Sequence, residues 1–162
     1  VLAMANGDFE TWSSYTNSPA EISSWGISIG AQTKIFGNFD LSANYTKSKL
    51  EFEQSLYPDF RTNWNTPEHK IKAQFGNTQL SENFGFNVAW RYWSEYLWQA
   101  SFGDGMVPET HVIDAQFNLT VPKWKSVIKV GATNLGGEEY FTAFGSGFIG
   151  TQYYISWTAN NF

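Results

Sequence analysis

The chain has 162 residues, a formal net charge of -5, no cysteine and two histidines, and 19% of its residues are aromatic. The missing thiols exclude a disulfide framework and a thiolate metal centre. Two histidines are too few for a histidine-built metal centre, and a sparse, acidic charge set excludes nucleic acid as a natural partner.

Mean hydropathy is -0.35, and no apolar run approaches the ~18–20 residues of a membrane-crossing helix. That average does not speak against membrane strands, which alternate apolar and polar residues and so cancel in a hydropathy plot. Val1 is not an initiator Met, and "VLAMA" is too short for the apolar region of a signal peptide. This reads as a mature chain or a piece of a longer one.

In chain order, residues 1–12 hold only about five strand-like positions before Asn6-Gly7, and the stretch after them reads as a loop. Seven segments with a period of two follow, and no helical periodicity competes with them. Trp25, Ile27, Ile29, Ala31 and Ile35 alternate with Ser28, Gln32 and Lys34. Phe39, Leu41, Ala43 and Tyr45 alternate with Asp40, Ser42, Asn44 and Thr46. Ile71, Ala73 and Phe75 alternate with Lys70, Lys72 and Gln74. Phe84, Phe86, Val88, Trp90 and Tyr92 alternate with Gly85, Asn87 and Arg91. Ile113, Ala115, Phe117 and Leu119 alternate with Asp114, Gln116 and Asn118. Ile128, Val130 and Ala132 alternate with Lys129, Gly131 and Thr133. Tyr153, Ile155, Trp157 and Ala159 alternate with Tyr154, Ser156, Thr158 and Asn160. All five prolines fall between these segments, where no ladder hydrogen bond is lost.

The connections alternate in length. "FGN", "NTQLSEN" and "PKWKS" are short. "EFEQSLYPDFRTNWNTPE", "SEYLWQASFGDGMVPE" and "GGEEYFTAFGSGFIG" are long. Short turns at one end and long loops at the other are how outer-membrane barrels are built; a soluble sandwich has no reason to sort its loops by side. Strands near ten residues match a tilted membrane strand. The expected fold is therefore an all-β, antiparallel, up-and-down transmembrane barrel. Its apolar stripe faces lipid and its polar stripe a lumen, with Tyr45, Trp90, Tyr92, Tyr153 and Trp157 in interfacial girdles. Seven strands do not close such a barrel, since single-chain bacterial barrels use even numbers. An eighth strand in residues 1–12, a larger barrel of which this is the C-terminal piece, or a soluble β-sandwich each resolve the count. The second is favoured. A soluble fold would gather Trp25, Phe86, Ile113 and Trp157 in one dry interior.

From Trp124 onward, "WKSVIKVGATNLGGEEYFTAFGSGFIGTQYYISWTANNF" carries a strand ending in G-x-x-N-L (Gly131 to Leu135). An acidic-aromatic loop (Glu138 to Phe141), a glycine-rich stretch (Gly145 to Gly150) and a last strand closing on Phe162 follow. "NTPEHKIKAQFGN" (Asn65 to Asn77) adds a P-x-H-K strand. This pattern resembles the C-terminus of TonB-dependent outer-membrane receptors, in the style of the Bacteroidetes group. The resemblance implies a barrel of about 22 strands with a plugged lumen. Residues 1–162 would supply its last seven or so strands, with the plug absent from this chain. It implies import of a siderophore, glycan, peptide or cobalamin-like nutrient across the outer membrane of a Gram-negative bacterium, without an enzymatic step or a cofactor. The implied partners are the rest of the barrel and its plug, the TonB complex through the missing N-terminal region, the lipid bilayer, a surface lipoprotein, and a small-molecule or oligomeric ligand. Phe162 would serve as the barrel-assembly signal. It is out of phase with the odd-numbered apolar face of its strand, which predicts a bulge near Asn160-Asn161 or a relaxed signature. The other two architectures imply a small self-standing outer-membrane barrel or a soluble binding module.

Gly145, Gly147 and Gly150 spell G-x-G-x-x-G, but a strand follows where a nucleotide site needs a helix. His69 and His111 lack a neighbouring nucleophile motif, so no catalytic set is expected. The long loops carry the ligand-type groups. Tyr57, Trp64, Tyr96, Trp98, Phe102, Tyr140 and Phe144 are the expected stacking residues, weighed against simple packing of the loops on one another. Acidic residues outnumber basic ones there, which disfavours an anionic ligand. Asp104 and Glu109 are the oxygens a hard cation would use, although no metal is expected. Lys34, Lys70, Lys72, Arg91 and Lys129 fall on the polar stripe, where they would pair with lumen carboxylates or the plug.

Overall fold

The computed structural model describes residues 2–5, 8–11 and 20–159, the first two stretches by backbone alone. Phe162 and the expected bulge at Asn160-Asn161 lie outside the described residues. Eleven strands form: β1 (Leu2–Ala5), β2 (Asp8–Thr11), β3 (Ser23–Ile35), β4 (Phe39–Glu51), β5 (His69–Asn77), β6 (Phe84–Trp93), β7 (Tyr96–Ala100), β8 (Gly103–Val107), β9 (Thr110–Val121), β10 (Ser126–Thr133) and β11 (Gln152–Ala159). Short 3-10 turns lie at Gln54–Leu56 and Pro122–Trp124.

The seven strands read from the alternation make one antiparallel sheet, in the order β11-β10-β9-β6-β5-β4-β3. Each strand pairs with its chain neighbour in the sheet, so the path is a meander. Period-two geometry sends successive side chains to opposite faces, and the register keeps the two faces separate across the whole sheet. One cross-strand row runs Tyr153, Ala132, Ala115, Val88, Phe75, Leu41 and Thr33. The adjacent row on the other face runs Tyr154, Gly131, Gln116, Asn87, Gly76, Asp40 and Lys34. A slip of one residue at any pairing would mix them.

The apolar face covers nothing. Trp25 and Ile113 are each 44% exposed, Ile155 is 76% and Trp157 69%, so no shared dry interior forms. Among the described residues the buried hydrophobic side chains are Val107, Val112, Ala132 and Tyr140. Every residue of β3 and β11 is exposed or nearly so, because each is an edge of an open sheet.

Aromatic rings band both ends of the apolar face. Toward the short turns, Phe75 stacks on Phe39 at 5.4 Å and meets Phe86 edge-on at 5.7 Å. Toward the long loops, Tyr92 leans on His111 at 4.8 Å, and Tyr45 Oη lies 2.8 Å from His69 Nδ1. Trp25 donates from Nε1 to Glu51 (3.1 Å) at that same end.

Two elements differ from the sequence reading. The stretch 94–109 is not a plain loop, because β7 and β8 make a hairpin of it. Tyr96 and Trp98 alternate with Leu97 and Gln99 there, and Gly103 takes the left-handed φ of 154° after the turn, a conformation that suits glycine. Near the N-terminus, β1 and β2 flank Asn6-Gly7, the favoured hairpin dipeptide. They form their own two-stranded sheet rather than an eighth strand of the large one.

Gly131 is a point where the polar face has no slack. A Cβ there would overlap the Tyr154 ring and the Ala115 carbonyl, so the tyrosine lies flat across the glycine and donates to Gln116 Oε1 at 2.8 Å. Gly131→Val is expected to destabilise the sheet by about 1–3 kcal/mol, read as a lower urea midpoint in the full-length protein. An unchanged midpoint would show that β10 and β11 are not held in this register.

Candidate functional site

All three long connections, 52–68, 94–109 and 134–151, emerge at one end of the sheet, and they bind one another there. Asn65 adopts left-handed φ of 45°, which asparagine tolerates. Its side chain then mimics a backbone partner for β7: Nδ2 donates to the Gln99 carbonyl (2.9 Å), and Oδ1 accepts from Gln99 N (2.7 Å). The Gln99 side chain returns the contact, accepting from Asn63 N at 2.9 Å. Arg61 forms an ion pair with Asp104 and donates to the Ala100 carbonyl at 2.6 Å.

The third loop closes from the other side. Tyr96 Oη donates to the Thr142 carbonyl at 2.8 Å. Burial raises the Tyr96 pKa above its usual 10.0, which keeps the hydroxyl a donor. The Phe144 ring fills the space that a side chain on Gly105 would need, and Phe102 packs on Gly145. Glycine is required at 105 because the ring lies directly on the backbone, and Gly145 sits at φ 82°.

Below this cap, one polar chain ties β6, β9, β10 and the third loop together. Arg91 Nη2 lies 2.9 Å from Asp114 Oδ2. Asp114 Oδ1 accepts from Asn134 N (3.1 Å), and Asn134 Nδ2 donates to the Glu138 carbonyl (3.0 Å). Thr151 Oγ1 donates to the Asn134 carbonyl at 2.6 Å. Asn134 is 1% exposed and left-handed, with φ 52°. The asparagine of the G-x-x-N-L motif is thus a buried splice between the end of β10 and the loop that returns to β11.

The seven residues expected to stack on a ligand divide into groups. Tyr96, Trp98, Phe102 and Phe144 gather around the β7–β8 hairpin; Trp98, Phe102 and Phe144 border one open recess, and Tyr96 stands 6.4 Å from Trp98. Tyr57 belongs to a separate cluster with Phe52 and Phe60, at 6.0 and 5.3 Å from Phe52 respectively. The Gln54 side chain pins that cluster by donating to the Tyr57, Pro58 and Phe60 carbonyls. Trp64 is half-buried. Tyr140 is 8% exposed and meets Trp93 edge-on at 5.4 Å, so it is a packing residue of the cap.

The expected cation donors are otherwise engaged. Asp104 is neutralised by Arg61, and Glu109 accepts from Tyr92 Oη at 3.4 Å. Among the described residues, no three acidic, histidine or cysteine groups are placed to hold a metal ion. Sequence reasoning missed the Arg91–Asp114–Asn134 chain. Its members are far apart in the sequence, and only the odd pairing of β6 with β9, across the β7–β8 hairpin, brings them together.

No protein-family profile matches the chain, and no curated protein sequence matches it. Among solved structures, the chain shares its fold with the siderophore receptor PiuA from Acinetobacter baumannii at a TM-score of 0.61 and 19% identity, over 84% of this chain. The chain spans about a fifth of that structure (21%).

The cap should behave as one unit. Asn65→Ala removes both amide contacts to Gln99, and it is expected to speed hydrogen exchange across 96–107 about fivefold or more, the change that a loss of ~1–3 kcal/mol produces. The Tyr96 hydrogen bond adds a pH dependence. Its contribution is complete below the ordinary tyrosine value of 10.0 and is lost as pH climbs through the raised folded value. Tyr96→Phe should remove that alkaline sensitivity from the exchange profile of 140–146.

Proposed function

We propose that this chain is the C-terminal part of the transmembrane barrel of a TonB-dependent outer-membrane receptor that imports a nutrient ligand. The observation that carries this reading is the apolar face, held in register over seven strands and left uncovered. A soluble protein does not expose so large a contiguous apolar surface; facing hydrocarbon, it is the expected arrangement. The aromatic bands at its two ends suit the two membrane interfaces, and the strands, at 8 to 13 residues, suit a tilted crossing.

The edges support the larger assembly. In lipid, each unpaired backbone group costs several kcal/mol, and both β3 and β11 present a free edge. Further strands of the same protein would pair with them, which favours a larger barrel over a self-standing one of eight strands. No second sheet packs on the apolar face among the described residues, which weighs against a sandwich. The G-x-x-N-L terminus and the fold shared with a siderophore receptor both favour the receptor reading, with a siderophore first among the cargoes. In this reading the long loops face outward and capture the ligand, the plug moves, and energy arrives through TonB. The chain itself performs no covalent chemistry.

A charge scan on β11 in the full-length protein tests it. Ile155→Lys puts an ammonium in the middle of the lipid-facing stripe and is expected to cost ~2–4 kcal/mol, seen as loss of folded protein in outer-membrane fractions. Ser156→Lys, one residue along and on the lumen face, is expected to be tolerated. Equal tolerance of the two, or recovery of the protein without detergent, would end the reading.

A further inference from the structure

The short-turn end carries side chains that its turns do not call for. In the β3–β4 turn, residues 36–38, Phe36 takes a left-handed φ of 48° and Gly37 a φ of 90°. Asparagine or glycine is the natural occupant of such a position, and a bulky residue there is strained. Phe36 is also 88% exposed, so the chain bears both costs at one residue. The two other short turns repeat the exposure, with Leu80 between β5 and β6 and Trp124 between β9 and β10. In the sheet order the three turns lie in one row. That row continues the ring band of Phe39, Phe75 and Phe86 one step past the strand ends. Charge differs here too. Lys123 and Lys125 flank Trp124, and all three are exposed, whereas the three long connections hold many carboxylates and one basic residue, Arg61.

We infer that Phe36, Leu80 and Trp124, with Lys123 and Lys125, anchor this rim in a layer of anionic phospholipid headgroups, that of the periplasm-facing leaflet. Apolar tips just beyond the hydrocarbon edge settle among headgroups, where the indole of tryptophan is favoured. Lysines beside them are drawn to lipid phosphates. One surrounding then accounts for each observation: it covers the exposed tips, meets the local excess of cations and gives the strained phenylalanine a use. Continuity with the ring band favours lipid over a protein partner, because the surroundings that take Phe39 and Phe75 take the tips one step further on. The inference rests on the barrel reading proposed above and adds what its short-turn rim touches.

The test places an environment-sensitive fluorophore on Phe36→Cys or Trp124→Cys of the full-length protein. Gly147→Cys is the control, in the third long loop where an added side chain meets nothing. Each is reconstituted in vesicles of phosphatidylethanolamine and phosphatidylglycerol, with a trace of lipid carrying a headgroup nitroxide and with iodide on both sides. The labels at 36 and 124 are expected to be quenched by the nitroxide and to lose most of the iodide quenching seen at 147. Exchanging phosphatidylglycerol for phosphatidylcholine should restore iodide quenching at 124, beside the lysines. Iodide quenching at 36 and 124 equal to that at 147 overturns the anchor. Shielding from iodide without nitroxide quenching overturns it too, and marks a protein partner or a second copy on the rim. Shielding at 124 that is indifferent to phosphatidylglycerol overturns the role of the lysines. Protein that inserts with exposed tips sinks the anchor alone; protein that fails to insert sinks the receptor reading as well.

Discussion

The arrangement depends on register. Seven strands keep one parity of side chains on one face through six successive pairings, and every later feature inherits that order. The apolar band exists only because no pairing slips. The polar network beneath the cap exists only because Asp114 on β9 lies beside Arg91 of β6 and the end of β10. In a soluble sheet the same alternation would be enforced by burial of the apolar face. Here the face is uncovered; in the proposed membrane setting, the cost of a misplaced charge in hydrocarbon would enforce it.

The long-loop end is built by a different logic. No regular ladder holds the cap, so side chains substitute for one. Asn65 stands in for a strand neighbour to Gln99, Arg61 closes on Asp104, and two phenylalanine rings occupy space left by glycine at 105 and 145. Asparagine and glycine recur at these points because they accept left-handed backbone or leave room for a ring. A cap fixed in this way holds its aromatic surface preformed, which in the proposed receptor would lower the ordering cost of binding.

Charge is divided across the same end. The recess beside His111 is acidic, with Glu109, Glu138 and Glu139, and the wall on the polar face is cationic, with Lys70, Lys72 and Arg91. Summed over the loops, acid predominates and an anion looks excluded. Resolved by position, acidic and basic groups border separate recesses. Net charge describes solubility and long-range steering; a recognition site is decided by the few groups that share one cavity.

The local signal of the sequence was enough for the seven sheet strands, their two faces and the sorting of turns from long loops, because a period of two and the position of prolines are properties of neighbouring residues. It also placed the aromatic residues of the loops without separating the packing ring of Tyr140 from the accessible Trp98, since burial and binding draw on the same residue types. The β7–β8 hairpin reads as loop in the sequence because its alternation is short and broken by glycine. Only the tertiary structure decided that β6 pairs with β9 past that hairpin, that Asn65 reaches Gln99, and that Lys72 stands beside Arg91. Those are choices between strands distant in the chain, and they are settled by lateral hydrogen bonding and packing, about which a single strand's own pattern is silent.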